Sequence, residues 1–145
     1  MKVEELMTRD VVIAAPDQTI QQAARAMCDL DIGVLPVADD DRLVGMITDR
    51  DIAVRAVAFG KGPDTKVEAV MSRDIKYCFS DEDVMEVSGN MADMQLRRLP
   101  VLDRDKRLVG ILALGDIATS DSQSEASLAL SGISRPGGDQ LSLFG

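Results

Sequence analysis

Leu43-Val44-Gly45-Met46-Ile47-Thr48-Asp49-Arg50-Asp51-Ile52 is the stretch whose reading decides the fold. It reads as a short apolar strand running straight into a helix, with a Thr and an Asp three residues apart at the junction. A strand end brings the backbone to the sheet edge. The first turn of the following helix offers unpaired N–H groups at the positive end of the helix dipole. A hydroxyl at Thr48 and a carboxylate at Asp51 then point into one space, which suits the corner to a polar ligand. Thr48-x-x-Asp51 equally matches a capping box, with Thr as N-cap and an acid at N3. Most of the stretch returns as Leu108-Val109-Gly110-Ile111-Leu112-Ala113-Leu114-Gly115-Asp116-Ile117.

That return belongs to a longer internal repeat. Met7-Thr8-Arg9-Asp10-Val11 recurs as Met71-Ser72-Arg73-Asp74-Ile75, 64 residues later, and Leu35-Pro36-Val37 recurs as Leu99-Pro100-Val101 at the same offset. Leu43-Val44-Gly45 returns 65 residues on, so the second copy carries one extra residue in the preceding turn. Each copy reads as β-α-β-β-α. A helical lead over 3–6 or 67–70 precedes the Met-Thr/Ser-Arg-Asp turn, and a strand over 11–13 or 75–77 follows. Asp17 and Asp81 read as helix-entry residues. Ile20, Ala23, Ala24, Met27 and Leu30 then fall at helical spacing, as do Val84, Val87, Met91 and Met94. Such stripes serve a core or a subunit contact more often than a cofactor.

Strands over 34–38 and 98–102 lead through acidic turns, Asp39-Asp40-Asp41 and Asp103-Arg104-Asp105, to the two corner stretches. The Asp triplet reads as a solvated hairpin turn rather than a cation site. Gly60-Lys61-Gly62-Pro63-Asp64 ends the first corner helix and links the copies. The organisation is therefore repeat 1 over 1–62, repeat 2 over 63–120 and a flexible C-terminal tail over 121–145. The fold class is mixed α/β, or α+β, with neither half large enough to stand alone comfortably. The two halves are expected to pack with pseudo-twofold symmetry.

Composition narrows the chemistry. The 145 residues are 46% hydrophobic and 28% charged, within the globular range, and only 3% aromatic with no Trp, so the core must be aliphatic. There is no His, which removes the usual general base and the commonest metal ligand. Cys28 and Cys78 are far apart and lack metal spacing, and read as buried free thiols of a reducing compartment. A net charge of −9 argues against nucleic acid as a partner. No apolar run reaches membrane-span length and the N-terminus has no apolar signal region, so the reading is a cytoplasmic chain without a membrane partner. Neither phosphate-binding glycine motif nor a nucleophile beside a base is present, so an enzyme is not expected.

The Met-Thr/Ser-Arg-Asp turns, the two Leu-Pro-Val strands and the Gly-h-h-Thr-x-x-Asp signature of Gly45 to Asp51 resemble the tandem CBS-domain proteins, or Bateman modules, in their small stand-alone form. The first copy, with Asp31-Ile32-Gly33-Val34-Leu35-Pro36, looks like bacterial signalling modules that include hypoxic-response proteins. The resemblance spans about residues 3–120. It implies a regulatory unit that binds an adenosine-containing ligand (AMP, ADP, ATP, NAD or S-adenosylmethionine), with no catalytic cofactor. It also implies a flat homodimeric disc paired through module helices, and a downstream protein partner that the sequence does not identify.

On that footing the stronger site comprises Thr48, Asp51, Val12, Ile13, Leu35, Pro36 and Arg50. Asp51 accepts from the ribose diol, Thr48 bonds phosphate or ribose, and aliphatic walls hold the adenine. The weaker site comprises Asp116, Ile75, Lys76, Leu99 and Pro100, with Ala113 where the first copy has Thr48. The resemblance points to Arg97 and Arg98 as phosphate partners; Arg50 and Arg55 are secondary candidates. No metal site is expected. Ligand binding is taken to change the arrangement of the modules. The competing reading is a ligand-independent interaction scaffold in which Thr48 and Asp51 serve only as a helix cap.

Overall fold

The structure, a computed structural model, describes residues 1–118. The expected tail over 121–145 lies outside the described residues. Among the described residues, 12–75 form one compact unit and 1–11 with 76–118 form the other. The units therefore divide the chain differently from the sequence repeats 1–62 and 63–120.

In the unit 12–75, helix α1 (Ile20–Leu30) precedes strands β1 (Val34–Asp39) and β2 (Arg42–Thr48), which pair antiparallel with Val34 opposite Thr48 and Val37 opposite Gly45. Ala14 adds a parallel bridge beyond β1 at Val37, and Ser72 an antiparallel one beyond β2 at Met46. Helix α2 (Asp49–Asp51) follows β2 without a break and widens into a π turn (Ile52–Ala56) and a 3₁₀ turn (Val57–Phe59). Gly60, at φ 74°, ends this segment in the left-handed conformation that glycine adopts without strain. Ile20, Ala23 and Met27 of α1 pack with Leu35, Val37, Ile47, Ala56, Val67, Val70 and Met71. Ala24 and Leu30, expected on the same stripe, face outward.

The second unit repeats the plan. Strand β3 (Cys78–Phe79), helix α3 (Val84–Met94), strands β4 (Arg98–Leu102) and β5 (Leu108–Ala113) and helix α4 (Leu114–Ala118) follow in order. The sheet runs β3-β4-β5, the first pair parallel and the second antiparallel, with Thr8 bridging Ile111 at the far edge. Val84, Val87 and Met91 of α3 are buried with Val3, Met7, Leu99, Val101, Leu112, Leu114 and Ile117.

Each unit thus takes its last sheet edge from the Met-Thr/Ser segment that opens the other repeat. The reciprocal pairs are Ser72 N–H to the Met46 carbonyl (2.8 Å) and Thr8 N–H to the Ile111 carbonyl (2.8 Å). This explains the glycines of the repeated Leu-Val-Gly. A Cβ on Gly45 would stand 2.7 Å from Met71 Sδ and 2.8 Å from the Ser72 carbonyl; on Gly110, 2.5 Å from Met7 Sδ and 2.9 Å from the Thr8 carbonyl.

Four local expectations are corrected. The α1 cap is Thr19, not Asp17: Gln22 N–H donates to Thr19 Oγ1 (3.2 Å) and Thr19 N–H to Gln22 Oε1 (2.9 Å), a reciprocal box. The α3 cap is Asp83, which accepts from Met85 N–H at 2.8 Å, while Asp81 pairs with Arg104 instead. The strands expected over 11–13 and 75–77 lie further on, at Ala14 and at Cys78–Phe79. Ala14 and Cys78 are buried small residues, whereas Val12 and Tyr77 are 46% and 41% exposed. Only one thiol is buried: Cys28 is exposed on α1, and burial, with the Glu82 carboxylate adding to it, pushes Cys78 up to about 12.

The acidic turns behave as hairpin loops. Asp40 takes φ 55°, and Asp103 Oδ1 accepts the Asp105 and Arg107 N–H groups, both at 2.9 Å. Among the described residues no cluster of three potential metal ligands occurs.

Candidate functional site

Strand β2 delivers Thr48 to the sheet end in extended conformation, φ −116° and ψ 162°, and the helix begins at the next residue. Thr48 and Asp51 are both half-buried. They are brought together: Asp51 N–H donates to Thr48 Oγ1 at 3.0 Å, and Thr48 N–H donates to Asp51 Oδ2 at 3.0 Å. The capping box read from the sequence is therefore formed.

The unpaired N–H groups expected at this helix start are taken, which corrects that expectation. Asp49 N–H donates to the Gly33 carbonyl at 3.0 Å, Arg50 N–H to Asp49 Oδ1 at 2.8 Å, and Asp51 N–H to the Thr48 hydroxyl. What the corner still offers is one donor and one acceptor. Thr48 Oγ1 accepts from Asp51, so its own hydroxyl proton remains to donate. Asp51 uses Oδ2, and among the described residues Oδ1 has no recorded partner. A half-buried O–H beside a carboxylate oxygen matches a ligand that carries an acceptor and a hydroxyl close together.

The other residues proposed for this site are placed unevenly. Leu35 is 1% exposed, its side chain in the unit's core, and Pro36 is buried beside it on β1. Ile13 is half-buried and Val12 exposed on the stretch leading to the Ala14 bridge, so the apolar side chains left to face a ligand come from there. Arg50 is exposed on the first helical turn.

In the second unit the corresponding corner has the same backbone connection, Leu114 N–H to the Arg97 carbonyl at 3.0 Å. Ala113 carries no hydroxyl there, and Leu114 is 5% exposed, packed in the core where the first corner has the exposed Asp49. Asp116 lies on α4, and its side chain is outside the described ones. Leu99 and Pro100 are buried on β4, Lys76 is exposed, and Arg97 and Arg98 are half-buried. Arg97 and Arg98 belong to the unit 76–118, Thr48 and Asp51 to the unit 12–75 and Ile75 to the end of that same unit, so the weaker set is divided between units.

Arg55, a secondary phosphate candidate in the sequence, grips the incoming segment instead. Its Nη1 donates to the Val70 and Met71 carbonyls, each at 3.1 Å. The sequence marks Arg55 as a basic residue four positions after Asp51 and carries no signal for its carbonyl partners.

Comparison with known proteins follows the same lines. The family model for the CBS domain matches twice, at residues 3–57 and 67–122. The chain is 42% identical over 133 residues to the CBS domain-containing protein YhcV of Bacillus subtilis, covering 91% of this chain and 94% of that one. The crystal structure of Hypoxic Response Protein I with two coordinated zinc ions superposes with a TM-score of 0.73 at 37% identity, over 81% of this chain and 97% of that one. The CBS domain pair of protein MJ0100, solved in complex with 5-methylthioadenosine and S-adenosyl-L-methionine, gives a TM-score of 0.67 at 30% identity, over 81% and 93%. With both sequence repeats matched, the chain belongs to the CBS-domain family as a tandem pair.

Proposed function

We propose that the chain is a regulatory module that binds an adenosine-containing ligand at the Thr48–Asp51 corner. One observation carries the reading: the corner keeps a hydroxyl donor and a carboxylate acceptor side by side after its own capping bonds are satisfied. A ribose hydroxyl donates to Asp51 Oδ1, and a phosphate or carboxylate oxygen accepts from Thr48. The MJ0100 pair, bound to two adenosine compounds at 30% identity, supports the ligand class. AMP, ADP, ATP, NAD and S-adenosylmethionine all satisfy this chemistry. A CBS pair is regulatory in kind, and this chain is read as non-catalytic. Occupancy shifts the arrangement of the modules, and a partner protein reads the shift.

The formed capping box also favours the second reading, a scaffold in which Thr48 and Asp51 only cap. Asp51→Asn separates the two. An amide oxygen still accepts the Thr48 N–H, so the cap survives, but the charged acceptor for the ribose is lost. Isothermal calorimetry with AMP, ATP, NAD and S-adenosylmethionine should show saturable binding of at least one, weakened about tenfold or more in Asp51→Asn, as loss of a charged hydrogen bond entails. Unchanged affinity in the variant, or no binding of any of the four, would leave the scaffold.

A further inference from the structure

We propose that Arg55 is the positioning residue through which occupancy of the Thr48–Asp51 corner is felt at residues 72–75. By that segment the chain leaves the unit 12–75 for Lys76. The inference rests on the ligand-binding reading above.

A closed ring of contacts lies within this one unit. Thr48 and Asp51 hold each other at the corner. Arg55 stands four residues further along the same helical segment, on the same side of it. Its guanidinium grips the Val70 and Met71 carbonyls, both at 3.1 Å. The next residue, Ser72, exchanges both backbone bonds with Met46, N–H to carbonyl at 2.8 Å and the reverse at 2.9 Å. Met46 lies two positions before Thr48 on β2, which closes the ring. Met71 is fixed above Gly45, where its Sδ occupies the space a Cβ would need.

A ligand hydroxyl on Asp51 Oδ1 shares the carboxylate whose Oδ2 accepts the Thr48 N–H, so binding pulls on the first helical turn. The adjoining turn, Ile52–Ala56, is a π turn, and Arg55 lies inside it. A π turn holds one residue more than an α turn, so it is where the helix can change register without losing its ends. Movement there pulls on the Val70 and Met71 carbonyls through Arg55, and on Ser72 behind them. Both bonds come from the one Nη1, whose two hydrogens each meet a carbonyl, on a guanidinium that stays charged.

Hydrogen exchange at the Ser72 amide, with AMP and separately S-adenosylmethionine as probes, tests this directly. In the unsubstituted chain, saturating probe should change the Ser72 exchange rate about threefold or more. In Arg55→Gln the probe should bind with a Kd within about threefold of the original, while the probe-dependent change at Ser72 disappears. Arg55→Lys keeps the charge and one contact and should recover part of the change; it also decides the matter if Arg55→Gln does not fold. A merely structural Arg55 would lower stability and leave the probe-dependent change intact, and that result overturns the proposal. Binding with an unmoved Ser72 amide in the unsubstituted chain overturns it alone; absence of binding by both probes overturns the ligand reading with it.

Discussion

The corner after β2 and the corner after β5 share a backbone and differ in what holds it. In each, the first helical N–H is received by the carbonyl that opens the preceding strand pair, Gly33 in one and Arg97 in the other, at 3.0 Å. In each, a glycine three residues before the strand's last residue makes room for a methionine from the other repeat's lead. After β2 the helix start is held by polar side chains, Thr48, Asp49 and Asp51. After β5 it begins with a buried leucine, Leu114. A helix start held by hydrogen bonds can exchange those bonds for a ligand's. Duplication preserved the scaffold while the chemistry diverged.

The comparison is broken most easily at the apolar anchor. Leu114→Ala should cost about 2–5 kcal/mol, as truncation of a buried leucine does, whereas Asp49→Ala should stay within about 0.5 kcal/mol. Urea denaturation of the two variants measures the contrast, and equal losses would dissolve it.

The shared device should respond equally in both units. Gly45→Ala and Gly110→Ala each place a methyl against a fixed carbonyl and a methionine sulfur, and each should lose about 1–3 kcal/mol of stability. A harmless substitution at either would mean that the exchanged segments do not set the glycine.

Thr48→Ala removes the N-cap and should lower stability by about 1 kcal/mol. The reciprocal Ala113→Thr installs a hydroxyl in the second unit and should sharpen the difference by raising that site's affinity for an adenosine ligand, read by calorimetry.

The smallest effect concerns an asymmetry far from either corner. Arg104 donates to both Asp81 oxygens, its Nη2 at 2.7 Å from Oδ1, and lies 4.1 Å from the Phe79 ring centre; the first repeat has Asp40 and Ala15 at the matching positions. The side-chain bond from Arg104 holds the Asp81 carboxyl below the usual carboxylate range. Because the folded value is depressed, the pair's contribution is complete above the ordinary carboxylate value and is lost as pH falls through the lower folded one. The melting temperatures of the parent and Arg104→Gln should therefore differ slightly at neutral pH and converge in acid. Salt should shrink the difference, since both groups are exposed.

The repeat itself made most of the fold legible. Landmarks at offsets of 64 and, past the turn, 65 placed β4 at 98–102 as found, β1 within one residue, and both corners. Local pattern was weakest wherever two acceptable residues competed. Asp17 and Thr19 can both cap, and only the Gln22 partner selects Thr19. Asp81 and Asp83 can both cap, but Arg104, 23 residues away, claims Asp81. The exchange of leading segments could not be read locally, because Thr8 meets Ile111 across about a hundred residues of chain. At the corner the residue types were legible and their state was not. Sequence names Thr48 and Asp51, while their geometry shows that the cap is closed and that one donor and one acceptor remain.

The sharpest trial is a calorimetric titration of S-adenosylmethionine and of AMP into Asp51→Ala and Asp116→Ala beside the parent chain. A Thr48–Asp51 corner that binds predicts that Asp51→Ala loses the tighter binding event for the ligand that is bound, while Asp116→Ala retains it. Tighter binding that survives in Asp51→Ala and vanishes in Asp116→Ala would contradict the account.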